Sequence, residues 1–107
     1  MSLDDPKIID FVSTAEDPKR AVLTIVDHLE WHADGHLKKL QDKINLYIAC
    51  VDSGEVSEKF PALRNLPVEI EIRHLFGIDE KGLRFLTRTA DSLKAFDFRF
   101  SWRQIQK

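Results

Sequence analysis

Asp27, His28, Glu30, Trp31, His32, Asp34 and His36 crowd one short passage of the chain, and three of the four histidines are among them. Carboxylates beside imidazoles are the raw material of acid–base chemistry and of metal ligation. His28, His32 and His36 follow one another at intervals of four, so on one continuous helix they would line a single face with carboxylates to hand, as a metal site requires. Asp34-Gly35 interrupts that register, because the pair has the signature of a helix start. The competing reading is a structural turn. In it Asp27 and His28 hydrogen-bond to the backbone, Trp31 covers the edge of the core, and His32 and His36 are solvated. Asp27, His28, Trp31, His32 and His36 are therefore the candidate ligand or interaction residues, and no catalytic residue, resident metal or cofactor is assigned.

Other chemistry finds less footing. No serine lies in a nucleophile elbow, and no glycine cluster is present to cradle a phosphate. Cys50 is the single cysteine, which forbids an intramolecular disulfide, and its place in an amphipathic segment marks a partly buried structural thiol. Phe98, Phe100 and Trp102 beside Arg99 and Arg103 resemble a base-stacking platform. Strand alternation puts those arginines on the face opposite the aromatics, which favours core packing.

The elements that must position the turn are legible on both sides of it. Residues 21–29, AVLTIVDHL, are apolar or β-branched at both parities, which predicts a strand covered on both faces. Leu37, Leu40, Ile44, Tyr47, Ile48 and Val51 form one stripe of a 3.6-residue helix over residues 35–52, with Asp34 as N-cap and Gly54 at the left-handed C′ position. Residues 7–15 predict a strand that turns at residues 16–19 into an antiparallel hairpin with the next. Residues 55–67 have no clean period and two prolines, so an ordered loop is expected there, with Val56, Phe60, Leu63 and Leu66 packing locally. Residues 68–76 alternate, with Val68, Ile70, Ile72, His74 and Phe76 on one face and Glu69, Glu71 and Arg73 on a wet one. A second helix follows, capped by Asp79, with Leu83, Phe85, Leu86, Ala90, Leu93 and Phe96 on its core half and Arg84, Arg88, Asp91 and Lys94 on the other. Residues 97–103 close the chain as a strand with Phe98, Phe100 and Trp102 inward.

The order β-β-α-β-α-β predicts an α+β two-layer sandwich: a four-stranded sheet with two helices packed on one face, strands three and four being parallel. One domain over residues 1–107 suits the length, with residues 1–6 as a flexible or added lead-in. Hydrophobic residues at 43% and charged residues at 32% are those of a soluble globular protein. A net charge of -2 gives no basic field, so nucleic acid is not expected as a partner. No apolar run approaches the roughly 20 residues of a membrane helix and no signal-peptide core is seen, so no membrane partner and a cytoplasmic location are expected.

The segments Thr24-Ile25-Val26-Asp27-His28-Leu29-Glu30-Trp31, His36-Leu37, Leu40-Gln41-Asp42-Lys43-Ile44-Asn45, Tyr47 and Ser53-Gly54-Glu55 resemble a small bacterial family of unknown function with the pattern TISDHLxW, HLxxLQxKINxY and SGE. Val26 stands where that pattern has serine. The resemblance implies a small stand-alone bacterial cytoplasmic protein, and supplies no activity, substrate or cofactor.

The leading functional expectation is a non-catalytic protein–protein interaction module, a homodimer or the partner of another protein. Its motive is apolar surface on strand two, and at Leu46, that one layer of helices leaves uncovered. The rivals are a small metal-dependent enzyme or ligand binder using the turn at residues 27–36, and an inhibitor or immunity-type protein, which fits the size and mild acidity.

Overall fold

The computed structural model describes residues 11–16 and 19–105. Four strands, β1 (Phe11–Ala15), β2 (Arg20–Asp27), β3 (Val68–His74) and β4 (Arg99–Gln104), form one open sheet in the order β1-β2-β3-β4. β1 and β2 are the expected antiparallel hairpin, whereas β2, β3 and β4 are mutually parallel. The start of the predicted first strand, residues 7–10, the lead-in at residues 1–6, and residues 17 and 18 of the turn lie outside the described residues.

Parallel strands need crossovers, and two helices supply them: α1 (His36–Asp52) begins the return from β2 to β3, and α3 (Glu80–Lys94) the return from β3 to β4. Residues 55–67, expected as a loop, instead hold a short helix, α2 (Glu55–Lys59), and a 3₁₀ turn at Pro61–Leu63. A five-residue helix is too short to show a hydrophobic period, which is why the sequence concealed it. Val56 and Leu63 are buried as expected, but Phe60 is exposed. The architecture is the α+β sandwich anticipated, with one more helix than the pattern disclosed.

The cross-strand register aligns one inner face row by row. Leu23, Ile70 and Phe100 form one row, and Ile25, Ile72 and Trp102 the next. Under α1 and α3 these join Leu40, Ile44, Tyr47, Leu86 and Leu93 in a single core. The Tyr47 hydroxyl donates to the Thr24 carbonyl at 3.0 Å, fixing α1 against β2. Two members of the expected second-helix stripe escape burial: Leu83 is 44% exposed on α3, and Phe96, 73% exposed, lies in the turn after the helix ends at Lys94. Phe76 also fails to join the inner face, because β3 ends at His74 and the chain has already turned.

The outer face of the sheet differs from expectation. Ala21, Leu23 and Ile25 all face the helices, and on the other side Val22 and Thr24 are buried while Val26 is half-buried. Glu69 and Glu71 are not simply wet, since Arg20 holds Glu69 at 2.7 Å and Arg73 holds Glu71 at 2.7 Å. The Ser101 hydroxyl donates to Glu69 at 2.9 Å. The bare apolar strip that motivated self-association through this face is therefore not exposed there.

Capping chemistry fixes the helix ends. Asp79 accepts from the Gly82 N–H at 2.7 Å as predicted, and Gly54 is left-handed at φ 82, directly after the C-cap Ser53 of α1. Asp34 does not cap α1: the N-cap is Gly35 at φ 76, with no side-chain hydrogen bond. A left-handed residue there turns the chain sharply into the helix, a conformation that only glycine adopts without strain.

Candidate functional site

The strand ends bring Asp27 and His74 together, because they are register partners at the C-terminal ends of β2 and β3. His36, the first residue of α1, comes down on this edge, and its Nε2 donates to Asp27 Oδ2 at 2.5 Å. Both side chains are fully buried. The other carboxylate oxygen accepts the Leu29 N–H at 3.1 Å, so both oxygens of Asp27 have a donor. His36 Nδ1 has no hydrogen-bond partner among the described residues.

Trp31 closes the edge. Its ring lies 4.6 Å from that of His36 and meets the His74 ring edge-on at 5.6 Å. Its indole N–H donates to the Phe76 carbonyl at 3.1 Å, and His74 Nδ1 donates to the same oxygen at 2.8 Å. One carbonyl thus ties the loop carrying Trp31 to the end of β3. On its far side the indole packs against Gly82 of α3, where an added Cβ would stand 2.5 Å from the ring.

Gly82→Ala is for that reason expected to destabilise the protein, although alanine is the better helix former by about 1 kcal/mol. The indole is held by its hydrogen bond and two imidazoles and has nowhere to go, and overpacking of this kind costs about 1–3 kcal/mol. A urea midpoint raised by the substitution would show that Trp31 yields freely.

Of the five residues singled out in the sequence, Asp27, Trp31 and His36 converge; His28 follows the end of β2, half-buried, and His32 stands apart in solvent. His36 is the correction: expected in solvent, it is the buried centre of the cluster. Its polar ring enters the core because the Asp27 carboxylate already lies there and needs a donor. His32 does lie in solvent, 3.1 Å from the also exposed Glu30. The metal face of three histidines does not form, since Gly35 separates His32 from α1. Among the described residues no set of three His, Cys, Asp or Glu side chains gathers as a metal would need.

His74 and Gly82 were missed. His74 had a signal in its inward parity on β3, but its place beside Asp27 depends on β2 and β3 being parallel neighbours. Lys43, buried with its Nζ 5.9 Å from the Tyr47 ring centroid, was also unforeseen. Cys50 is half-buried, and burial first, then the hydrogen bond and charge of Glu55, push its thiol above its ordinary pKa. Such a thiol is a weaker nucleophile at neutral pH.

A second feature lies on the outer side of the helical layer. Both crossovers run from the C-terminal edge of the sheet back to its N-terminal edge, so α1 and α3 are parallel to each other. Between them opens a groove of about 570 Å³, floored by Ile44, Ile48, Phe85 and Leu93, with Phe96 at its mouth. Phe85 and Arg88 also line a smaller recess of about 320 Å³ with Leu37, Lys81 and Arg84.

The model of a family of unknown function, DUF6572, matches residues 1–106. The chain belongs to that family. No curated protein matches this DUF6572 member, and no solved structure does. Among its described residues, no helix is long and apolar enough to cross a membrane.

Proposed function

We propose that this DUF6572 chain is a non-catalytic protein–protein interaction module of the bacterial cytoplasm, and that its interface is the groove between α1 and α3. The observation that carries the reading is the groove itself: an open apolar floor between parallel helices, with Phe96 73% exposed at its mouth. A contiguous apolar cleft with an exposed aromatic on its lining is a surface that a protein partner can cover. A net charge of -2 suits a protein partner better than nucleic acid. The turn at residues 27–36 has less claim to a ligand, because the Asp27 and His36 side chains are fully buried beside Trp31 and Asp27 is engaged with His36 Nε2 and the Leu29 N–H.

A photo-crosslinking residue installed at Ser92, which lines the groove and is itself exposed, tests this in the native cell. One discrete adduct is expected, lost when Phe96→Arg is added. Irradiation that yields no adduct, or a smear indifferent to Phe96, sinks the interaction reading.

A further inference from the structure

We infer that the occupant of the groove is a second copy of this chain, packed about a two-fold axis with its helices antiparallel to the first; the inference rests on the interaction reading above. Charge runs along the groove in one direction. At the end where α1 and α3 begin, Lys81, Arg84 and Arg88 stand around Leu37 and Phe85. Toward the opposite end Arg88, from the middle of α3, shares the lining with Asp52, the last residue of α1, which is the acidic residue of that lining. Arg84 has a distant, exposed partner in Glu80 at 3.7 Å, but among the described residues neither Arg88 nor Asp52 is engaged in an ion pair.

A surface cationic at one end and anionic at the other is complementary to itself when turned end for end. A two-fold axis performs that reversal, and every contact then occurs twice. Asp52 of each copy meets Arg88 of the other, and each Phe96 reaches the recess at the other's Leu37 and Phe85. A uniformly acidic or basic partner segment would satisfy one end and oppose the other. The 17 residues of α1 make a face about 25 Å long, and two helices make it about 20 Å wide, so each copy contributes on the order of 500 Å². That falls short of the roughly 800 Å² per partner of a standard complex. The dimer is accordingly weak, and its charged ends set its geometry more than its strength.

Sedimentation velocity at concentrations on the order of 100 µM, where a weak interface is populated, tests the arrangement through complementary variants. The unaltered chain is expected to dimerise. Asp52→Arg alone and Arg88→Asp alone each place like charges together at both ends, and each should weaken dimerisation about tenfold or more. An equimolar mixture of the two variants should recover the dimer, because each opposite-charge contact is restored across the mixed pair. Both positions are exposed, and matching circular dichroism spectra confirm that the variants fold. A mixture that stays monomeric while the unaltered chain dimerises overturns the two-fold arrangement. An unaltered chain that is monomeric overturns the second copy as occupant. In that case a discrete Ser92 adduct of some other mass preserves the interaction module, and no adduct removes both.

Discussion

Truncating Asp27 to alanine is expected to lower the unfolding free energy by about 3–5 kcal/mol, the loss that follows when one member of a buried hydrogen-bonded pair is removed. The carboxylate is fully buried and supplies the acceptor for His36 Nε2 at 2.5 Å and for the Leu29 N–H at 3.1 Å. Without it both donors are left unsatisfied in the core, and a buried group stranded in this way bears its full desolvation cost. His36 is hit hardest, since its Nδ1 already lacks a partner and the ring would keep no polar contact. Asp27→Asn retains the shape and one acceptor, so it should cost less than Asp27→Ala. His36→Ala should also be costly, because it strands the carboxylate and removes the ring against which Trp31 packs. His32→Ala, at a side chain 79% exposed, should leave the denaturation midpoint where it is. Urea titrations of the four variants check the ordering. If Asp27→Ala lies within about 0.5 kcal/mol of the unaltered chain, the range of an ordinary surface change, the pair holds nothing together.

Ile70→Ala should cost about 2–5 kcal/mol, a large part of the roughly 5–15 kcal/mol that holds a domain folded. Ile70 is fully buried in the middle row of the sheet, flanked by Leu23 on β2 and Phe100 on β4. Its neighbours belong to strands fixed by register, so they cannot collapse into the space it leaves. Phe100 stands in the same row, but on the edge strand and only half-buried, so Phe100→Ala should cost less despite removing more atoms. Thermal unfolding of the two variants decides the matter. A larger loss for Phe100→Ala would mean that the core is centred on β4 instead of β3.

The inward parity of Val68, Ile70 and Ile72, the stripe of α1 and the Asp79 cap were all legible in the sequence, because each is a local periodicity or a local hydrogen bond. Strand and helix periods survive in a single chain whatever surrounds them. Phe96 and Leu83 show where that reasoning stops. Leu83 belongs to the apolar half of the α3 wheel, yet burial depends on how much of that half the sheet and α1 can reach, whereas Phe96 lies past Lys94, in the turn where the helix has already ended. Phe96 became part of the groove's lining.

The candidate site divides in the same way. That Asp27, Trp31 and His36 lie close in the chain, between a strand and a helix, is a property of the sequence alone, and so is the interruption at Gly35 that keeps three histidines off one helical face. That His36 is buried and His32 is not, that His74 arrives from 38 positions after His36 to complete the cluster, and that α1 and α3 leave an apolar cleft between them, were decided only by the tertiary structure. The reason is physical: periodicity records which side of an element prefers to leave water, whereas the neighbour it meets there is set by strand order and crossover direction, which no local pattern encodes.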